Sequence, residues 1–446
     1  MKIMRTLATA VAVIAMASVA VAQDFDQYFD GRTLRLDYIF AGNDSEQHIY
    51  LEEMKQLPQW AGRRTRLSEK FLAGDGQITV RDSISGEVIY VNTFSTLFQE
   101  WQSTEEATKV DKAFETSYLV PFPKNTVEIT VTLTDRHHHV TGQLTHMVNP
   151  TDILIRQVID NGIPVRTIME SGPIDQCVDI VIVAEGYTEE EMDKFYTDAQ
   201  RATDAIFSHE PFAGMKDRFN VVAVASASLD SGPCIPHDGQ WKRSALDTHY
   251  DTFYTDRYLT TQQIHTLYDI IGTTPVEQII VLINSPTYGG GGIYNQVTLS
   301  TTDHRTFKEV LVHEFGHGYG GLADEYYYDD QFVSTYPADT EPWEPNVTTL
   351  VDFSSKWQDM IPEGIEIPTT PVELPNIRTL DPNDKEAFAL INAATQRIGV
   401  FEGGGYQSKG VYRPAQECRM KINEVEQFCP VCLRAIVRIT DFYTGR

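Results

Sequence analysis

His313, Glu314 and His317 form an HExxH string inside TFKEVLVHEFGHGYGGLADEY, Thr306 to Tyr326, and these residue types at this spacing suit metal-assisted hydrolysis. Residues four apart on a helix project from the same side, so both imidazoles can grip one Zn²⁺ at about 2.0–2.1 Å. Glu314 is offset around the helix and can reach a water held on that ion. Beyond the string, Gly318, Gly320 and Gly321 accept positive φ and let the chain turn back under the metal. Asp324 is the first strong ligand type to return. A catalytic zinc takes three protein ligands and keeps one position open, and His313, His317 and Asp324 would supply the three.

The elements that must position these groups are legible around them. Thr306 followed by Glu309 is the pattern of a capping box, so a helix is predicted to start there. Phe307, Leu311 and Phe315 recur at four-residue spacing, with Val310 widening the stripe, and would seat one face of the helix in a core. A bare HExxH also occurs on ordinary amphipathic helices. The cap, apolar stripe, glycine break and acidic return together separate this stretch from them.

HExxH followed by glycines and a third ligand resembles the metzincin clan. The longer string His313 to Tyr326 is similar to the M64 family of IgA-peptidase-type zinc metallopeptidases, as are GGGYQSKGVYRPAQECRMK, Gly403 to Lys421, and EPNVT, Glu344 to Thr348. The likeness covers most of Ile174 to Arg446. It implies a zinc endopeptidase acting on a protein or glycoprotein, with Glu314 as general base. In the usual metzincin pattern the third ligand lies six residues after the second His, where this chain has Ala323. Asp324 stands one residue later, which makes Gly321 rather than Gly320 the pivot and leaves Glu325 open as an alternative ligand. Met420, in ECRMK, resembles the Met-turn beneath the zinc, an apolar floor rather than a ligand. The resemblance also places a peptide substrate along the strand Ile293 to Ser300, against the competing reading of a plain hairpin. An oxyanion-assisting Tyr is left open among Tyr319, Tyr326 and Tyr412.

Upstream, Lys2 and Arg5 precede an apolar run from Leu7 to Val21 that ends in Ala20-Val21-Ala22. That is the pattern of a signal peptide over residues 1–22, and export to periplasm, cell surface or medium is expected. The formal charge of −27, lowered by two more on loss of Lys2 and Arg5, argues against nucleic acid or anionic lipid as partner. Nothing beyond the leader is long and apolar enough to enter a membrane. From Gln23 to Met169 short alternating strands (Leu34 to Phe40, Gln77 to Asp82, Glu87 to Thr93, Thr126 to Thr134, Asp152 to Val158) predict an all-β sandwich domain. From Glu170 to Arg446, apolar runs at Val178 to Ala184, Asn220 to Ser226 and Gln278 to Ile283 alternate with helical segments near Thr188 to Phe207 and Thr261 to Ile271. This predicts an α/β catalytic domain with a mostly parallel sheet, to which the resemblance adds a metzincin-like fold. A closing helix is predicted from Cys432 to Tyr443.

Five cysteines, Cys177, Cys234, Cys418, Cys429 and Cys432, leave one over if pairs close. A bridge from Cys418 to Cys429 or Cys432 would staple the loop before the last helix; CPVC as a redox motif or half a zinc knuckle is the competing reading. His137 to His139 read as an exposed turn. The segment EYYYDDQFVSTYPADTEPWEP after Asp324 reads as a packed aromatic loop, with Ca²⁺ held by its oxygens as a further reading. The rival function is a non-catalytic exported protein that binds a glycoprotein or glycan, with a structural zinc.

Overall fold

A computed structural model describes residues 24–328, 336–381 and 384–446. The leader expected at residues 1–22 lies outside them. In chain order the N-terminal unit comprises α1 (Phe25–Tyr28), β1 (Phe29–Gly42), β2 (Gln47–Leu57), β3 (Gly76–Asp82), β4 (Val88–Phe94), α2 (Leu97–Trp101), β5 (Lys112–Pro123), β6 (Val127–Thr134), β7 (Val140–Val148) and β8 (Arg156–Gln157). Two four-stranded sheets result, in the orders β5-β1-β2-β8 and β4-β3-β6-β7. Strict alternation drives the pairing: in VEITVTLT of β6 every second residue is buried. Leu34, Leu36 and Phe40 from one sheet and Ile78, Val80 and Val131 from the other share a core, in which Phe94 stacks on Tyr118 with centroids 4.0 Å apart.

Sequence reading misses β2, β5 and β7. β5 contains Pro121 and Pro123, which a strand tolerates because β5 lies at a sheet edge. The expected strand Asp152 to Val158 shrinks to Arg156–Gln157, since Ile153 and Leu154 face solvent and find no sheet to cover.

The second unit continues with β9 (Val165–Met169), β10 (Val178–Glu185), α3 (Met192–Ile206), β11 (Phe219–Val224), α4 (Ile264–Ile271), β12 (Gln278–Ile283), β13 (Gly290–Ile293), β14 (Val297–Thr301), α5 (Phe307–Gly318), α6 (Lys385–Gln396), β15 (Phe401–Gly404), β16 (Gln407–Arg413) and α7 (Pro430–Thr444). Its six-stranded sheet has the order β13-β14-β12-β10-β11-β9. The inner strands run parallel, and β10 and β12 are buried along their whole length, as VDIVIVAE and QIIVLI require. Both edges are antiparallel. β9, which the sequence reading leaves on the N-terminal side of a boundary at Met169, pairs with β11 and belongs to this sheet. The stretch Ile293 to Ser300 is not one strand: it spans the last residue of β13, a turn at Asn295 with φ +53°, and most of β14, so the competing hairpin reading holds, and β14 lies inside the sheet rather than at its edge.

One hydrophobic core runs from the N-terminal sheets through Leu267 and Ile271 of α4 to Val181, Val183, Val281 and Ile283. A polar cluster pins the same junction. Arg35 meets Asp37 at 2.7 Å and Asp269 of α4 at 2.6 Å, Lys55 meets Asp37 at 3.2 Å and Asp269 at 3.0 Å, and the Ser117 hydroxyl donates to Asp37. Asp37→Ala would leave Arg35 and Lys55 buried beside a hole. We expect it to lower unfolding free energy by about 3–5 kcal/mol in denaturant titration, against a near-neutral exposed Asp30→Ala.

Candidate metal centre

α5 forms because Phe307, Val310, Leu311 and Phe315 bury one face. The expected capping box does not form, since the Thr306 side chain caps no helix amide. Its hydroxyl lies 2.8 Å from His304 Nδ1, its amide donates to the same atom, and Phe307 donates to the His304 carbonyl. A tight turn over His304 therefore replaces the cap. The helix stops at Gly318, and Gly321 takes φ +59° while Gly320 stays outside the left-handed region, so the reversal pivots where the spacing requires.

Past the pivot, residues 324–326 run like a strand between two others. Gly405 donates to the Asp324 carbonyl and Tyr406 to that of Tyr326, while the Glu325 amide donates to Met420 on the opposite side. Successive side chains then face opposite ways. Asp324 turns toward α5, where its Oδ1 lies 3.1 Å from His313 Nε2 and 3.2 Å from His317 Nε2, and these nitrogens are 3.0 Å apart. Glu325 turns away and accepts from Asn346 Nδ2 at 3.0 Å and Cys432 Sγ at 3.1 Å.

The triangle is made of acceptors. His313 Nδ1 donates to the Arg419 carbonyl and His317 Nδ1 to that of Leu322, so each ring, when neutral, presents an Nε2 lone pair inward. Tyr406 donates its hydroxyl to Asp324 Oδ2. That leaves the buried Oδ1 with only the two Nε2 atoms before it, two lone pairs unless a proton or a cation stands between them. A cation resolves this repulsion. The centre of a triangle with such sides lies about 1.8 Å from each corner, so the spacing of the three atoms suits a zinc ion, whose ordinary ligand distances are about 2.0–2.1 Å. Charge follows the same logic. Burial would raise the Asp324 carboxyl, but the two imidazoles hold it well below the usual range. Burial works against a charged His317, yet Asp324 and Glu314 outweigh it and push it up to about 9.

Met420 is fully buried under the helix: a Cβ on Gly316 would come within 2.7 Å of its Sδ. On the other flank α5 nearly touches β13, where a Cβ on Gly292 would lie 2.3 Å from the Glu314 carbonyl and one on Gly290 3.1 Å from its carboxylate. Glu314 thus sits between the helix and the sheet edge, lining a cleft of about 1860 Å³, and burial raises its pKa. Among the three tyrosines left open, Tyr319 is buried against Thr440, Tyr326 lines the cleft against Tyr406, and Tyr412 lies on β16 outside it. Sequence reasoning missed Tyr406, although its glycine-rich neighbourhood was a signal: Gly403 and Gly405 both have positive φ. It also missed Glu100, brought in from the N-terminal unit, which burial pushes up to about 7 and which accepts from Tyr258.

The remaining expectations fall differently. No bridge joins Cys418 to Cys429 or Cys432, and none of the five cysteines is paired; the three near the last helix gather around Glu325. His137 and His138 lie in the expected exposed turn and bond to Thr340 and to the Glu341 carbonyl. Of the segment considered for Ca²⁺, residues 329–335 lie outside the described residues. Among the described residues, two groups could hold a metal ion: His313, His317 and Asp324, and Glu325 with Cys418, Cys429 and Cys432.

The sequence profile of the family described as IgA Peptidase M64 matches residues 166–378 and 372–440, more than half of the chain. The chain belongs to the M64 peptidase family. A second profile, the M64 peptidase N-terminus, matches residues 24–145. No curated protein matches the chain. As an M64 peptidase it takes protein substrates, and its family is one of metallopeptidases. Among the described residues no helix is long and apolar enough to cross a membrane. Tyr406→Phe removes the hydroxyl that orients Asp324. We expect the affinity for the metal to fall about 10–100-fold in chelator competition, with the fold unchanged by circular dichroism.

Proposed function

We propose that this M64 peptidase is an exported zinc endopeptidase. The observation that carries the reading is the convergence of two half-buried imidazoles and a buried carboxylate on one point beside Glu314, in an open cleft. His313, His317 and Asp324 would hold the ion, and the open side of the triangle suits a catalytic rather than a structural site. Zinc bound there supplies a lowered pKa for an attacking water and polarises the scissile carbonyl.

Glu314 takes a proton from that water as it attacks, then delivers it to the amide nitrogen as the C–N bond breaks. Its partial burial suits both roles, because a carboxylate raised above its ordinary value of 4.5 is a stronger base and returns the proton readily. Tyr406 fixes Asp324, and the carbonyls of Arg419 and Leu322 fix the imidazoles, so the site is organised before substrate arrives. Of Tyr319, Tyr326 and Tyr412, Tyr326 lines the cleft, and oxyanion assistance is assigned to it on that ground. β13 is the sheet edge along the cleft, and main-chain pairing to it would align an extended peptide past Glu314. Export rests on the charged and apolar pattern of residues 1–22, and N-terminal sequencing of the secreted protein should begin at Gln23.

Glu314→Gln should keep its zinc and lose about 10²–10⁴-fold in kcat/KM on a protein substrate. Equal activity in both proteins would favour the non-catalytic, glycoprotein- or glycan-binding reading. Asp324→Ala should empty the His site in metal analysis. The pH profile has a definite sign: Glu314 acts deprotonated and its pKa is raised, so kcat/KM should fall as pH drops through a value above 4.5. An acid limb at or below the ordinary carboxylate range would remove Glu314 from the base role.

A further inference from the structure

We propose that Glu325, Cys418, Cys429 and Cys432 form a second, structural site for a thiophilic divalent ion such as zinc. This inference does not rest on the peptidase mechanism. The four ligand atoms lie within 4.8 Å of one another, and all four residues are completely buried. One carboxylate oxygen, Glu325 Oε2, has no hydrogen-bond partner, a costly state for a buried acceptor and one that a cation relieves.

The local backbone is built for thiolates. Cys429 is the N-cap of α7 with Pro430 at its first turn, and Cys432 stands three residues on, so both sulfurs sit at the positive end of a helix. The Cys429 amide donates to Cys418 Sγ. Arg413, buried nearby with Nε unpartnered, offsets part of the negative charge of three thiolates and a carboxylate. Cys-x₂-Cys plus one further Cys and a carboxylate is a four-ligand, closed set, which is the structural type. A disulfide between any two of the three sulfurs would leave one buried thiol and the same orphaned oxygen, whereas a metal engages all four groups. Binding would release the thiol protons to solvent.

Position gives the site a role. Glu325 follows Asp324, and Cys418 precedes Arg419, whose carbonyl holds His313, and Met420, whose side chain packs against Gly316 of α5. An ion here would clamp, from behind, the two segments that build the first centre.

The test is metal analysis and cobalt substitution of the full chain purified under reducing conditions. Two ions per wild-type chain are expected. The cobalt form should show a thiolate-to-cobalt charge-transfer band in the near ultraviolet, which histidine and carboxylate ligands do not give. His313→Ala/His317→Ala should lose one ion and keep the band, while Cys432→Ser should lose the band. Glu325→Gln, the mildest change, should release the sulfur-bound cobalt at lower chelator concentration. A wild-type cobalt protein without the band, or a disulfide found among Cys418, Cys429 and Cys432 by mass spectrometry after denaturation in chelator without reductant, would overturn the proposal. Either result leaves the Glu314 test untouched.

Discussion

Three lone pairs pointing at one buried spot are the constraint on which the catalytic half is built. Left alone they repel, and every neighbouring contact ensures that they cannot relax. Both Nδ1 atoms are committed to carbonyls, Asp324 Oδ2 is committed to Tyr406, and Met420 blocks the helix from below. Only positive charge stabilises the arrangement. The affinity of His317 for a proton, raised by Asp324 and Glu314, expresses the same attraction that a divalent ion would use. Proton and metal therefore compete for one place.

The helix-borne part of this centre was legible because it is local. HExxH needs only a helical period, and the glycine pivot needs only one positive φ. The third corner was not local. Asp324 and Glu325 are chemically near-equivalent neighbours, and what separates them is the pairing of 324–326 with Gly405–Tyr406 on one side and Met420 on the other. Those partners lie some eighty to a hundred residues away in sequence, so no spacing rule reaches them. The capping box failed for the opposite reason: the pattern was present, but the Thr306 hydroxyl was turned to His304 next to it.

For the fold, continuous apolar strands gave the clearest reading, since β10 and β12 are buried on both faces and tolerate no polar residue mid-strand. Strands with one wet face were harder. β2 carries Glu52, Glu53 and Lys55, charges held in pairs with His265, Arg156 and Asp269, and β7 has five exposed positions in nine and few apolar ones, so the alternation of both is blurred. β9 falls on the N-terminal side of the expected boundary because an edge strand's partner, here β11, is fixed by topology rather than by its own residues.

The N-terminal unit brings no metal ligand, yet it is not an appendage. Its core is continuous with the face of the catalytic sheet that carries Val181, Val183 and Val281, so removing it would uncover that face to water. It also sets the far wall of the cleft. Glu100 meets Tyr258, Asp75 meets Trp343, His138 meets the Glu341 carbonyl, and Asn92 with Thr93 meets Asn295 in the turn of the β13–β14 hairpin. These contacts tie the loops and the hairpin around the cleft to the N-terminal unit. A peptide entering the cleft therefore meets the chemistry on one side and surfaces of the N-terminal unit on the other. The same fused core that makes the two units inseparable makes the first of them part of what the second can accept.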